Sequence, residues 1–315
     1  MTPITISINP SYLCNFRCKF CYLTPEQLAD KQKIGPVRLE QLLNEVTQHT
    51  TIAHIDLYGG EIALLSDDYF AQIKQAIRHF YHKPINIITN LSRVPKFFLQ
   101  SDIQLSVSFD FDCRERYEEV YRNMATIQKP LHVLVLASKC LLNKDVNYMI
   151  MMLNTLLNVT TVEIKPYSTN QANQQEVSYR DHEEFVKRWI TSPIIKRFSF
   201  INEQQIAHSL AGTYNAFSDD HVYITPTGKF AVLDFDNSDN EKFTELERFT
   251  DYIEWTRKER NLIASNPHCS QCKYVGHCLT EHYRWVKDLD NSCNGYKFLL
   301  DWYDNERMEN PPADV

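Results

Sequence analysis

Three cysteines, Cys14, Cys18 and Cys21, stand within the eight-residue run CNFRCKFC. This spacing lets one short loop hold three corners of an iron-sulfur cube and leaves the fourth iron without a protein ligand. An open metal position is what allows a centre to do chemistry, because a substrate or cofactor can chelate it. A three-cysteine zinc site would need a fourth ligand nearby, and no His, Asp or Glu lies between Cys14 and Cys21.

Along the chain, short apolar runs alternate with amphipathic stretches of helix length, the pattern of repeated βα units around a parallel sheet. It predicts strands over 4–8, 53–58, 85–89, 103–109, 131–137 and 161–165, with helices over 39–48, 68–81, 93–99, 114–126 and 146–157. Six such units make an incomplete barrel, whose reactive face lies at the carboxyl ends of its strands. The polar motifs fall at those ends. The cysteine loop follows the first strand and Tyr58-Gly59-Gly60-Glu61 the second, Thr89-Asn90 closes the third, and Ser106 to Asp110 closes the fourth. Two glycines let the backbone turn tightly against a ligand, and the Glu61 carboxylate can accept hydrogen bonds from an ammonium group. Asn90 and Asp110 also suit helix caps. Ser138 and Asn143 follow the fifth strand.

At 315 residues and 43% hydrophobic, the chain can bury one barrel-sized core and a smaller one. Seven glycines and scattered prolines leave no low-complexity linker and no visible repeat. The opening MTPITISINP is too short and polar for a signal peptide, and no apolar run approaches the ~20 residues of a membrane span. A cytoplasmic location with no membrane partner is expected. Nine cysteines in such a setting point to reduced thiols and metal ligands more than to disulfides. A formal net charge of −7 argues against a nucleic-acid partner.

A second group, Cys269, Cys272, Cys278 and Cys293, is spaced C-x2-C-x5-C-x14-C and can close around one metal centre. Closed four-cysteine sites hold either zinc or iron-sulfur. Cys113 and Cys140 follow the fourth and fifth strands, near the mouth of the barrel. A thiol there could donate a hydrogen atom to a bound ligand; the plainer role is that of a small buried apolar residue. His282 suits a helix surface.

The C-x3-C-x2-C spacing with Phe20 before its last cysteine, followed by Gly59-Gly60-Glu61, resembles the radical S-adenosylmethionine (SAM) superfamily. The resemblance implies that Cys14, Cys18 and Cys21 hold a 4Fe-4S cluster whose open iron binds SAM. Reductive cleavage of SAM then yields a 5'-deoxyadenosyl radical that abstracts a substrate hydrogen. Phe20, Tyr22, Gly59, Gly60, Glu61, Asn90, Ser108 and Asp110 become the expected SAM-binding residues, and Cys113 and Cys140 the catalytic candidates. Ile62 stands where the family often has proline.

The carboxyl-terminal cysteines resemble part of a SPASM or twitch extension, and residues 222–233 look like its β-hairpin, with Gly228 at the turn. Leu233 and His282 occupy positions where a complete extension has cysteines, so one auxiliary 4Fe-4S cluster is expected, with zinc as the other occupant. The implied fold class is α/β, an incomplete parallel (β/α)6 barrel followed by a small cysteine-rich twitch/SPASM-like domain. Its parts are the barrel over 1–200, a connecting segment over 201–221, the auxiliary domain over 222–300 and a tail over 301–315. Residues 170–220 match nothing in the family pattern.

Barrels with this extension mostly resemble oxidoreductase-type maturases of ribosomally synthesised peptides, which epimerise them or form thioether or carbon-carbon crosslinks. A small-molecule dehydrogenase or rearrangement enzyme is the alternative. A noncatalytic iron-sulfur or zinc protein would have no need of Gly59-Gly60-Glu61. An external low-potential donor such as flavodoxin or ferredoxin is implied. The first strand starts at about Ile4, so no amino-terminal recognition domain is expected. A peptide would bind an exposed sheet edge, the 170–220 stretch or a separate recognition protein.

Overall fold

In the first strand, β1 (Ile4–Ile8), the isoleucines at 4, 6 and 8 are buried, while Thr5 and Ser7 point the other way. One face can therefore take helices and the other can line an interior. The computed structural model describes residues 2–167, 177–217, 219–233, 243–267, 269–279 and 296–309. Five further parallel strands repeat the pattern: β2 (Ile52–Leu57), β3 (Ile85–Thr89), β4 (Ile103–Ser108), β5 (Leu131–Leu136) and β6 (Val159–Lys165). A two-residue strand, β7 (Ser199–Phe200), adds to β6.

Helices α1 (Pro36–Thr47), α2 (Asp67–Arg78), α3 (Tyr117–Thr126), α4 (Lys139–Leu142) and α5 (Val146–Asn154) fill the connections. Each of the longer ones buries one stripe; α1 does so with Leu39, Leu42, Leu43 and Val46. Helix α2 starts where the Ser66 hydroxyl accepts from the Tyr69 N–H, with Asp67 and Asp68 in its first turn and Arg78 in its last. Among the described residues no helix is long and apolar enough to cross a membrane.

The six expected strands are all present, within two residues at each end. Four helices are shorter than expected, the one over 68–81 ending at Arg78 and the one over 146–157 ending at Asn154. Over 93–99 there is only a 3-10 turn at Lys96–Leu99, because Pro95 biases the residue before it away from helical geometry. Helix α3 begins at Tyr117, since Arg116 lies in the left-handed region at φ 54°.

The hairpin of β8 (His221–Ile224) and β9 (Phe230–Leu233) turns at Gly228, φ 78°. It does not stand apart as a sheet of its own. Strand β8 pairs in parallel with β1, from Thr5 with His221 to Ile8 with Ile224, and β10 (Phe243–Leu246) pairs with β9. One sheet of ten strands results, ordered β10-β9-β8-β1-β2-β3-β4-β5-β6-β7. Helix α7 (Ile201–Leu210) occupies the expected connecting segment, and α8 (Phe249–Ser265) follows β10.

Helix α6 (Tyr179–Ile190) opens with a capping box in which Ser178 and Asp181 satisfy each other's backbone N–H. Its buried face meets α9 (Lys297–Glu309): Glu183 Oε1 accepts the Leu299 N–H at 3.3 Å, and His182 Nδ1 lies 3.0 Å from the Tyr296 hydroxyl. Burial pushes the Glu183 carboxyl up to about 7, outweighing the Leu299 N–H and the fields of Lys187 and Arg180. The native state therefore holds this proton more tightly than the unfolded chain, whose carboxyl titrates near 4.5. Stability is highest below that value and declines as pH rises toward about 7. Thermal melts across this window should lose that slope in Glu183→Gln.

Candidate active site

The cysteine loop and the Gly59-Gly60-Glu61 turn are bonded into one unit. Gly60 N–H donates to the Ser11 carbonyl at 3.1 Å, and Glu61 N–H donates to the Leu13 carbonyl at 2.9 Å. A Cβ at Gly60 would stand 2.2 and 2.3 Å from the Tyr12 and Leu13 carbonyl oxygens, so only glycine permits this approach. Gly59 adopts φ 146°, and a Cβ there would meet the Ser11 carbonyl at 2.6 Å.

Within the loop the thiols carry N–H donors. Phe16 N–H donates to Cys14 Sγ and Leu23 N–H to Cys21 Sγ, each at 3.4 Å. Asn90 Nδ2 reaches Cys14 Sγ at 3.7 Å. Burial pushes the Cys18 thiol up to about 12, against the Arg114 cation; Cys21 and Cys14 are close enough to raise it further. Cys14 is likewise raised, chiefly by burial.

Among the described residues no three His, Cys, Asp or Glu side chains converge as a group able to hold one metal ion. In a cubane each thiolate holds its own iron, so the sulfurs need not meet at a point as zinc requires. Three thiols outside any disulfide on a short loop, with amide donors to the sulfurs, fit such a cluster.

Glu61 is 2% exposed and ties the turn to the end of β3. Its Oε1 accepts from Ala63 N–H at 2.8 Å and the Thr89 hydroxyl at 2.5 Å; its Oε2 accepts from Asn90 N–H at 2.6 Å. Burial raises its carboxyl above the ordinary value against these three bonds. Asn90 donates to Asn15 Oδ1, and Asn15 Nδ2 donates to the Ser92 hydroxyl, so the end of β3 grips the loop.

Asp110 stands at the N-cap position of the 3-10 turn Phe111–Cys113, but its side chain makes no capping bond there. Its Oδ1 accepts from Leu136 N–H at 2.7 Å, and its Oδ2 accepts from Arg114 Nε and Nη2 at 2.8 and 2.6 Å. The pair is buried, at 8% and 1% side-chain exposure. The guanidinium lies over the Phe20 ring, 5.4 Å from its centroid. Arg116 lies over Phe16, and Glu115 accepts from Arg17 N–H, so three consecutive residues hold the loop. Sequence reasoning passed over Arg114; its signal is the spacing of four from Asp110. Ser108 is half-buried at the end of β4. Ser138 is buried with its hydroxyl unpartnered, and Asn143 bonds only back to Lys139 of its own helix.

Tyr22 packs in an aromatic group with Tyr58 at 5.9 Å and Phe243 at 6.2 Å, and its hydroxyl points to the Gly59 carbonyl. Tyr12 and Tyr223 join the same cluster, which seats the hairpin against the cysteine loop. Further down the strands the interior is polar. Ser106 donates to Asn86, and Asn86 donates to Asp56 at 2.7 Å. Ser7 donates to Asp56, and its hydroxyl lies 2.9 Å from His221 Nε2. The bond to Asp56 raises His54 above the usual imidazole value despite its burial. Asp56 is lowered although burial opposes it, because His54 and Asn86 bond to it.

Cys113 and Cys140 are brought together, joined as a disulfide with Cα atoms 5.9 Å apart. This corrects the expectation of free thiols: a disulfide has no S–H, so in this state neither residue can donate a hydrogen atom. Nor are they buried apolar fillers, since Cys140 is exposed and Cys113 half-buried. In the carboxyl-terminal group Cys269 and Cys278 are buried and Cys272 half-buried, and none of the three is in a disulfide. Their turn is docked on α7 by the Ser209 hydroxyl, which donates to the His277 carbonyl at 2.6 Å. Cys293 and His282 lie outside the described residues.

Two outcomes follow from these contacts. Removing the buried cation in Arg114→Met leaves Asp110 uncompensated and should cost about 3–5 kcal/mol of unfolding free energy. Arg116→Met, at an exposed pair with Glu119, should cost under about 1 kcal/mol by the same denaturant titration. Alkylation of unfolded, unreduced, metal-free protein should label Cys14, Cys18, Cys21, Cys269, Cys272 and Cys278 and spare Cys113 and Cys140 until a reductant is added.

No protein-family model matches the chain, and no curated protein matches it. Solved structures do. It resembles SuiB of Streptococcus suis bound to precursor peptide SuiA, at 15% identity and TM-score 0.66 over 92% of this chain and 74% of that one. It also resembles anSMEcpe with bound AdoMet and Kp18Cys peptide, at 14% identity and TM-score 0.68 over 98% of both chains. With its cysteine loop and glycine turn at the carboxyl ends of a mostly parallel sheet, the chain has the fold of the radical SAM peptide-modifying enzymes.

Proposed function

We propose that this chain is a radical SAM enzyme acting on a peptide, with Cys14, Cys18 and Cys21 as ligands of a 4Fe-4S cluster. The observation that carries the reading is the pair of backbone bonds joining the cysteine loop to the Gly59-Gly60-Glu61 turn at a contact only glycine allows. When bound, the cluster and SAM supply a 5'-deoxyadenosyl radical that abstracts a hydrogen atom from substrate.

The chain's own residues prepare the place. Amide donors from Phe16, Leu23 and Asn90 stabilise the sulfurs as thiolates. Arg114 sets a buried positive charge beside Cys18, where three thiolates and a carboxylate would otherwise accumulate negative charge. Phe20, Tyr22, Gly59, Gly60, Asn90, Ser108 and Asp110 line or shape the SAM site. The straps through Glu61 and Asp110 tie neighbouring strand ends together and help exclude water from a reactive radical.

A peptide substrate is supported by the neighbours, since SuiB is bound to a precursor peptide and anSMEcpe to a Kp18Cys peptide. Epimerisation, thioether formation and carbon-carbon crosslinking all fit this reading. Cys269, Cys272, Cys278 and Cys293 would hold one auxiliary 4Fe-4S cluster, and a flavodoxin or ferredoxin in the cytoplasm would supply electrons.

Metal analysis of anaerobically reconstituted protein tests both sites. About eight irons are expected, falling to about four when Cys14, Cys18 and Cys21 are all replaced by Ala. Four irons with one zinc would instead make the carboxyl-terminal site structural. Under strong reduction the native protein should form 5'-deoxyadenosine from SAM, the triple variant none, and Gly60→Ala far less. Absence of 5'-deoxyadenosine from the native protein would leave a noncatalytic metal-binding protein.

A further inference from the structure

The Cys113–Cys140 disulfide joins the turn after β4 to helix α4 after β5, across 27 positions of the chain. The other six described cysteines are in no disulfide. Cys140 is exposed and Cys113 half-buried, so an external thiol can reach the bond from the side of Cys140.

The bond holds the segment that grips the cysteine loop. Cys113 ends the 3-10 turn Phe111–Cys113, and the next three residues all touch the loop. Arg114 covers the Phe20 ring, Glu115 accepts the Arg17 N–H, and Arg116 covers Phe16. Phe111 and Arg116, at the two ends of this segment, have φ of 52° and 54°. Left-handed backbone is unfavourable for residues with a Cβ, so the segment keeps its shape only while its surroundings impose it. On the other side of the bond, α4 is moored to α6, because Arg188 donates to the Leu142 and Lys144 carbonyls. Beside the disulfide, the segment is tied to the chain after α4 by the Lys144–Asp112 ion pair, which lies at the surface and contributes little.

We propose that the Cys113–Cys140 bond is a reversible redox site that controls access to the cysteine loop. Oxidised, it clamps residues 111–116 over the loop; reduced, it lets them relax and exposes Cys14, Cys18 and Cys21. This concerns thiol access and goes beyond the function proposed above without depending on it. The reductant is a dithiol. One of its thiolates attacks Cys140 Sγ, and the sulfur-sulfur bond breaks with its electron pair going to Cys113, which takes up a proton. The second sulfur of the dithiol then displaces Cys140, which is protonated in turn, and the reductant leaves as its own disulfide. Two electrons pass to the protein, and a disulfide reagent reverses the sequence. The loop thiols are thus covered in oxidising surroundings and opened in reducing ones.

The test follows alkylation of folded, metal-free protein, resolved cysteine by cysteine in a mass spectrometer. Three forms are compared with no reductant present: native oxidised protein, native protein reduced with dithiothreitol and desalted anaerobically, and the double variant Cys113→Ser with Cys140→Ser. Cys14, Cys18 and Cys21 should react about tenfold faster in the second and third forms, while Cys269, Cys272 and Cys278 keep one rate in all three. Treating the reduced native protein with oxidised glutathione should restore the slow rate, a reversal that a misfolded variant cannot imitate. Equal rates at the loop cysteines in all three forms would overturn the proposal, as would a bond that dithiothreitol fails to reduce in the folded protein. Acceleration at all six cysteines alike would also overturn it, since the bond would then support the fold as a whole. If the reduced protein shows the faster rate yet takes up no iron on anaerobic reconstitution, the function proposed above fails and the redox site stands.

Discussion

The contact on which the site depends is a backbone one: the Gly60 and Glu61 N–H groups donate into the carbonyls of the cysteine loop. Side chains are excluded there, because any Cβ at Gly60 would collide with two carbonyl oxygens. Once the turn after β2 is fixed on the loop after β1, Glu61 is carried to the end of β3. There it accepts from Thr89 and Asn90, and Asn90 in turn reaches Cys14. Three strand ends are thus joined through groups that would otherwise be buried and unpaired.

Asp110 repeats the device between β4 and β5 by accepting the Leu136 N–H on one oxygen, while its other oxygen is held in a buried charge pair with Arg114. A buried pair of this kind is weak evidence for stability. Its more informative property is placement, since it sets a cation over Phe20 and beside Cys18, inside the loop that would carry negative charge. The polar chain from Ser106 to His221 is in contrast to the apolar packing typical of closed barrels.

Much of the barrel was legible because its signals are local. Period-two alternation in β1 and the apolar runs of β3 to β6 need no knowledge of distant residues. Helix starts were less legible, since Pro95 and the left-handed Arg116 act through backbone geometry and not through hydrophobic pattern. The hairpin was visible as a hairpin, but its attachment to β1 depends on pairing between residues more than 200 positions apart. The Cys113–Cys140 bond was hidden for the same reason: two loops that follow neighbouring strands meet only when the sheet forms.

By itself the sequence determined the kind of chemistry open to this chain, because a metal-ligand spacing within one loop and a glycine pair after a strand are properties of contiguous residues. Only the tertiary structure decided which groups those motifs face. Glu61 turned out to accept from Thr89 and Asn90 at the end of β3, Asp110 to be committed to Arg114 and Leu136, and Asn9 to be left with an unpaired amide at the glycine turn. Whether a hydrogen-bonding group is satisfied depends on which neighbours the fold brings within about 3 Å, and those neighbours are far away in the chain.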